Sequence, residues 1–332
     1  MFCSTIIPTI GRTSLTTAVN SVLNQVFDHS QHEIIVVNDS GQPLFEASWQ
    51  HSDIVRVIHT NRQNRSIARN SGAAIARGQY LHFLDDDDWI LPDAFRYFWE
   101  LAHSSNAAWL YGAFRLVDNA GERITDIHPA EKGNCSIQLM AWEWLPLQAS
   151  LISSKAFSEV GGFAPLDTLL GGFEDVDISR QVSLLYDTAY TDRLVAVIRI
   201  GEIGSTTDYI GMFRQNRQSR ERTLENSVAF RRLRDSARSI QYQSSYWHGK
   251  VVYYYLASMK WNVRRGRIST AASRLRYAIL ALILVGKRLI SPAFWKGLTR
   301  PHYSRFSSAL RDTGADALYL ETNRRTEMRD TL

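Results

Sequence analysis

The sequence predicts an α/β protein, with a doubly wound, mostly parallel sheet in its first two hundred or so residues and a helical region behind it. Three observations carry that reading. Short apolar, β-rich runs alternate with amphipathic helical patterns through the first part of the chain, the order that builds a parallel sheet covered by helices. Acidic residues follow the ends of two of those runs, at Asp39 and at Asp85, and ligands collect beyond the carboxyl ends of strands in such sheets. After about Thr206 the alternation stops, and Arg-rich helical patterns continue to roughly Leu289.

Residues 2–8 predict the first strand, with Cys3 as a buried free thiol inside it. Beyond Gly11-Arg12, the residues Leu15, Ala18, Val19, Val22 and Leu23 recur at helical spacing and give one apolar stripe. Residues 33–37 predict a second strand, ended by the turn sequence Asn38-Asp39-Ser40-Gly41, and residues 54–58 a third. Residues 66–77 predict a helix with Gly78 as its C-cap, and residues 79–84 a fourth strand that runs into Asp85-Asp86-Asp87-Asp88. Pro92 suits the first turn of the helix that follows. Residues 108–117 and 149–153 read as strands, Gly161-Gly162 and Gly171-Gly172 bracket a loop, and Glu174–Leu185 reads as a helix. Residues 253–284 predict a helical hairpin turning at Arg265-Gly266-Arg267. The expected organisation is a catalytic domain at 1–205, a basic, aromatic-rich helical region at 206–300 and a polar tail at 301–332.

Composition narrows the class. Of 332 residues, 45% are hydrophobic and 21% charged, which is a globular rather than a disordered balance. Two cysteines, Cys3 and Cys135, exclude a disulfide framework and a cysteine metal site and fit a reducing cytosol. The N-terminus lacks the layout of a secretion signal, and the longest clean apolar run, 277–285, is too short to span a bilayer. Residues 1–192 carry a net charge of −11 and residues 193–332 one of +16. The basic part therefore expects an anionic partner, lipid or nucleic acid.

Four aspartates in a row after an apolar strand repel one another, and some would hold protons unless a cation were present. A divalent ion relieves that cost, and Mg²⁺ or Mn²⁺ suits one or two carboxylates plus substrate phosphates. The competing reading is a cap on the next helix dipole, for which one aspartate suffices. For Asp39 the alternatives are paired hydrogen bonds to ribose or base and an Asx-turn closing 38–41. Glu174, Asp175 and Asp177 form a second acidic group at a helix start, behind the glycines at 171–172. One of these carboxylates can serve as general base, another as helix cap.

The run Asn64-Arg-Ser-Ile-Ala-Arg-Asn-Ser-Gly, then Ala76-Arg-Gly-Gln-Tyr-Leu-His-Phe-Leu-Asp-Asp-Asp-Asp-Trp89, resembles the inverting family 2 glycosyltransferases with the GT-A fold. Ser4-Thr-Ile-Ile-Pro-Thr9 and Glu33-Ile-Ile-Val-Val-Asn-Asp39 match that family in order and spacing. The resemblance covers roughly residues 2–200. It implies a Rossmann-like GT-A domain, with Pro8, Thr9, Arg12 and Asp39 as nucleotide contacts. It also implies an Asp-x-Asp element on Asp85 and Asp87, with Asp87 the metal ligand for Mn²⁺ or Mg²⁺ and Asp85 and Asp86 against the nucleotide-sugar. Arg65 flanks the phosphates with Arg69, and Asp175 is the base. Many relatives carry a histidine near a Gly-Ser after the last strand; residues 199–205 hold none, leaving Glu202 as the candidate oxygen ligand for metal or diphosphate.

The resulting expectation is transfer of a sugar from a nucleoside diphosphate-sugar, UDP by default, to a glycan or glycolipid acceptor in cell-surface polysaccharide synthesis. The competing readings are a nucleotidyltransferase, which would want a better phosphate loop than Thr9-Ile-Gly-Arg12, and a non-catalytic nucleotide-binding module. The arginines at 214–238 and the aromatics Trp247, Tyr253, Tyr254, Tyr255, Trp261 and Trp295 suit peripheral contact with an anionic membrane from the cytoplasmic side, or a solvated helical bundle. No nucleic-acid motif accompanies them, so no nucleic-acid partner is expected.

Overall fold

Four strands run parallel in one half of the sheet: β1 (Cys3–Thr9), β2 (His32–Asn38), β3 (Val55–His59) and β4 (Tyr80–Phe83). The second half adds β5 (Trp89–Ile90), β6 (Trp109–Val117), β7 (Arg123–Ile127), β8 (Ser150–Ser153) and β9 (Thr188–Arg199). The computed structural model describes residues 1–129, 132–136, 139, 145–164, 174–199, 219, 245–246, 248–249, 251–253, 255–256, 259–260, 263–264, 266 and 268–299. The strand order is β3-β2-β1-β4-β8-β6-β9-β5, with β7 on β6.

The sheet is mainly parallel, as the sequence predicts, with three strands running against the rest. β8 lies antiparallel between β4 and β6, β7 is antiparallel to β6, and β5 is antiparallel to β9. β6 and β9 are parallel, so six of the strands share one direction and their carboxyl ends share one edge. Helices α1 (Leu15–Leu23), α2 (Arg65–Ile75), α3 (Ala94–Ser104), α4 (Ser154–Glu159) and α5 (Glu174–Leu185) accompany this sheet. Burial explains the uninterrupted apolar runs: every residue of β2 is buried, as parallel strands covered on both faces require. In α1 the expected stripe faces inward through Leu15, Ala18, Val19 and Val22.

Two helix boundaries differ from expectation. Helix α2 starts after Asn64, whose side chain accepts from the backbone N–H groups of Ser66 and Ile67, and it ends at Ile75 with Ala76 already extended. Gly78 is therefore no C-cap. It is a point of close backbone approach: a Cβ there would sit 2.5 Å from the Ser4 nitrogen and 2.6 Å from the Cys3 carbonyl carbon. Pro92 precedes α3 rather than occupying its first turn; Asp93 is the N-cap and the Pro92 carbonyl accepts from Val26 N.

Glu33 fastens the turn at Gly78 to the sheet. Its buried carboxylate accepts from Ser4 Oγ at 2.7 Å, Arg77 N at 2.7 Å and Arg56 Nη2 at 2.7 Å, linking β1, β2, β3 and the chain leading into β4. β4 is thereby held beside β1, and the aspartates that follow it emerge at the carboxyl edge.

The chain divides into two compact units, one built on Met1–Cys135 and Trp144–Gly204, the other on Ser136–Glu143 and Ser205–Asp312. In the second, helices α6 (Ile268–Val285) and α7 (Pro292–Thr299) are described. The described residues between 245 and 264 are helical, and Gly266 turns at φ +72° just before α6. Val251, Val252 and Tyr255 pack with Ala278, Ala281, Val285 and Phe294. No helix among the described residues is long and apolar enough to cross a membrane. The Arg-rich run at 214–238, Trp247, Tyr254, Trp261 and the tail at 301–332 lie outside the described residues.

Gly78→Ala should cost about 3 kcal/mol, because the clash is with backbone that cannot turn aside. Gly72→Ala meets Ile6 Cγ2 at 2.5 Å, a side-chain atom, and should cost less. Urea unfolding of both variants checks the order; equal stabilities would show that β1 and the 76–79 turn are not held this closely.

Candidate active site

The four aspartates do not act as one group. Asp88 N donates to the Asp85 carbonyl at 3.1 Å, closing a turn directly after β4. That turn brings carboxylate oxygens of Asp85, Asp87 and Asp88 within 4.8 Å of one another and sends Asp86 the other way. Asp86 is buried, accepting from Thr9 Oγ1 at 2.5 Å and from Arg12 Nη1 at 2.8 Å. Arg12 Nη1 also reaches Asp87 at 3.0 Å, so the half-exposed guanidinium spans the rim of the cluster.

Their acidities separate for stated causes. Burial pushes Asp85 upward, but the Arg69 guanidinium, 2.6 Å away, outweighs it and holds the carboxyl below the usual aspartate range. Burial and then the Asp85 charge push both Asp87 and Asp88 upward, Asp88 furthest. One fixed anion beside two carboxyls that resist ionising is a set short of positive charge. Three hard oxygen donors, two of them partly exposed, fit a divalent cation such as Mg²⁺ or Mn²⁺.

Asp85 is aimed from several sides. Gln148 Nε2 donates to Asp85 Oδ2 at 2.8 Å. The Gln148 carbonyl accepts from His82 Nε2 at 3.0 Å, and His82 Nδ1 lies 3.2 Å from Thr5 Oγ1. Burial lowers His82 to about 4, so at neutral pH the ring is uncharged, giving its one proton to the carbonyl and accepting from Thr5. Arg69 is 4% exposed. It lies over the Phe163 ring at 5.4 Å and gives its second nitrogen, Nη1, to Glu174 Oε1 at 3.0 Å. Arg65 also pairs with Glu174, through Nε and through Nη2 at 3.1 Å. Asn70 holds Phe163 by both its backbone groups, at 2.8 and 2.9 Å.

Asp175 follows Glu174 at the start of α5, with Val176 N donating to its Oδ1 at 2.8 Å. Burial, then the neighbouring Glu174 charge, pushes it up to about 6. Asp39 also has its carboxylate engaged. It accepts from Thr60 Oγ1 at 2.7 Å, Arg62 N at 2.6 Å and Asn64 N at 2.5 Å. It thus fixes the 60–64 turn, in which Asn61 and Gln63 have φ of +53° and +50°. The Asx-turn at 38–41 belongs to Asn38, whose Oδ1 accepts from Ser40 N at 3.0 Å.

Thr9, Arg12, Asp86 and Asp87 thus form one hydrogen-bonded group, and Asp85, next to Asp86 in the chain, is connected through Arg69 and Glu174 to Arg65 and the Asp175 segment. Pro8 and Asp39 stand at the ends of the neighbouring β1 and β2. Glu202 and the glycines at 171–172 lie outside the described residues. Sequence reasoning missed Gln148, His82 and Arg199. Arg199 closes β9 by donating its backbone N–H to Asp88 Oδ1 at 2.7 Å and its Nε to the Asp87 carbonyl at 3.3 Å.

Residues 4–160 match the family described as Glycosyl transferase family 2. The putative glycosyltransferase EpsH of Bacillus subtilis is 36% identical over 85 residues, 24% of each chain. The poly(ribitol-phosphate) beta-N-acetylglucosaminyltransferase TarP of Staphylococcus aureus is 28% identical over 138 residues, 40% of this chain and 41% of TarP. The chain thus spans well under half the length of these two curated relatives. In fold it is similar to S. aureus TarS 1–349 in complex with UDP-GlcNAc, with a TM-score of 0.52 at 13% identity, covering 82% of this chain and 90% of that one. The match to glycosyl transferase family 2 covers residues 4–160, just under half of this chain, and the likeness to TarS is one of fold.

Proposed function

We propose that the chain transfers a sugar, with inversion, from a nucleoside diphosphate-sugar to a hydroxyl of a glycan or glycolipid acceptor during cell-surface polysaccharide synthesis. The observation that carries this reading is the convergence of Asp85, Asp87 and Asp88 beyond β4, joined through Arg69 to the carboxylate pair at the start of α5. UDP is the default nucleotide; the UDP-GlcNAc bound by TarS, which has the same fold, supports that choice. TarP, a poly(ribitol-phosphate) beta-N-acetylglucosaminyltransferase, supports a polymeric acceptor. On this reading the chain works at the cytoplasmic face of a membrane.

Asp85, Asp87 and Asp88 would hold Mn²⁺ or Mg²⁺, which when bound neutralises charge on the diphosphate. Pro8 and the 60–64 turn, which Asp39 orders, offer a floor for the nucleoside. Thr9 and Asp86 orient Arg12, whose guanidinium adds a second positive charge at the cluster's rim. Asp175 takes the acceptor hydroxyl's proton while that oxygen bonds the anomeric carbon. The bond from that carbon to the diphosphate oxygen breaks on the opposite face, and its electron pair leaves with the diphosphate, which inverts the centre. Arg65 and Arg69 act by fixing Glu174, and so the start of the helix that bears the base. Glu202 is proposed as a further oxygen ligand near the diphosphate.

UDP with Mn²⁺, at about a hundredfold over Kd, should raise Tm by about 5 °C. Asp87→Ala should lose the Mn²⁺-dependent part of that shift; the same shift without Mn²⁺, or an unchanged shift in the variant, contradicts the metal assignment. The base works deprotonated, so kcat should rise about tenfold per pH unit up to a pH of about 6 and then level. Asp175→Asn should lower kcat by about 10²–10⁴, remove that acidic limb, and leave the UDP thermal shift intact. Steady-state transfer assays across pH check this, and a limb that survives the substitution assigns the proton to another group.

A further inference from the structure

Helix α6 has two apolar faces where its packing uses one. Ala271, Ala278, Ala281 and Val285 are buried and, except for Ala271, belong to the cluster with Val251, Val252, Tyr255 and Phe294. On another side of the same helix Ile268, Leu275, Ile279 and Ile283 are exposed, Ile283 at 68%. Their spacings of seven, four and four residues put them in one line along an α-helix. Past the helix end, Ile290 is 85% exposed and Trp295 is 52% exposed.

The charge beside this stripe selects among occupants. Arg276 is exposed and falls, by helical spacing, on the flank of the line through Ile279 and Ile283, and the exposed Lys287 follows in the short 3-10 segment just past the helix end. The helix carries no acidic residue, and residues 193–332 as a whole carry +16. A second copy of the same face would bring arginine and lysine against their like. An anionic bilayer takes both features: apolar side chains enter the acyl boundary while basic ones stay among the headgroups. No helix among the described residues is long and apolar enough to cross, which leaves the interface as the place for such a face.

We propose that the outward face of α6, centred on Ile279 and Ile283, with Arg276 on its flank and Lys287 just past its end, docks on an anionic phospholipid surface. This inference uses none of the residues assigned to sugar transfer and stands or falls apart from that reading. The test is co-sedimentation of the full chain with vesicles of phosphatidylglycerol and phosphatidylcholine, against vesicles of phosphatidylcholine alone. The anionic vesicles should bind at least about tenfold better, with the advantage falling as salt rises. Ile279→Glu with Ile283→Glu should lower that partition at least about tenfold while the UDP thermal shift is unchanged. If that pair disturbs folding, Arg276→Glu with Lys287→Glu, at solvated positions, should give the same loss. Wild-type protein left in the supernatant with anionic vesicles would overturn the proposal. So would a folded variant that binds like wild type, or a light-scattering mass showing that the stripe instead pairs two copies.

Discussion

The buried guanidinium of Arg69 is the contact on which the site's arrangement depends. It touches Asp85 at 2.6 Å and Glu174 at 3.0 Å, two carboxylates from distant parts of the chain. Burying a charged group costs several kcal/mol, and this cost is offset only because both partners are anionic and close. The same contact sorts the acids. Asp85 is kept ionised by Arg69, and its charge then works against ionisation of Asp87 and Asp88. A cation held between the three would relieve that repulsion and favour their ionised forms.

The sheet determines where the clamp can form. Because β1, β2 and β4 are parallel and in register, their carboxyl ends bring Thr9, Asp39 and Asp85 to one edge. β8 runs the other way beside β4, which places Gln148, just ahead of it, against Asp85. β9 ends at Arg199 on Asp88. Packing, the neutral His82 and the Glu33 junction hold the frame, and the reactive groups sit on it at a rim made from strand ends.

Much of this was legible in the sequence, for local reasons. Strands β1 to β4 and helices α1 and α5 follow from apolar periodicity alone. β9 was hidden by Asp192 and Arg193 in its exposed stretch and by the register shifts where it pairs with β6 near Gly112 and Ala113. β5 is only two residues long and exists because β9 pairs with it. Gly78 looked like a helix stop because sequence shows that a side chain is excluded, without showing what excludes it. Within the aspartate run, the resemblance to family 2 glycosyltransferases implied Asp85 and Asp87. The turn closed by Asp88 N on Asp85 O decides that Asp88 joins them and Asp86 leaves. No local pattern could join Arg69 to Glu174, which lie 105 residues apart.

The central claim is that the cation belongs between Asp85, Asp87 and Asp88 while Asp85 remains on Arg69. Anomalous diffraction from crystals grown with Mn²⁺ and UDP tests it directly. The account requires one manganese peak within coordination distance of those carboxylates, with the Arg69–Asp85 and Arg69–Glu174 pairs intact. A peak elsewhere, or an Arg69 that has let go of Asp85 to admit the ion, would contradict it.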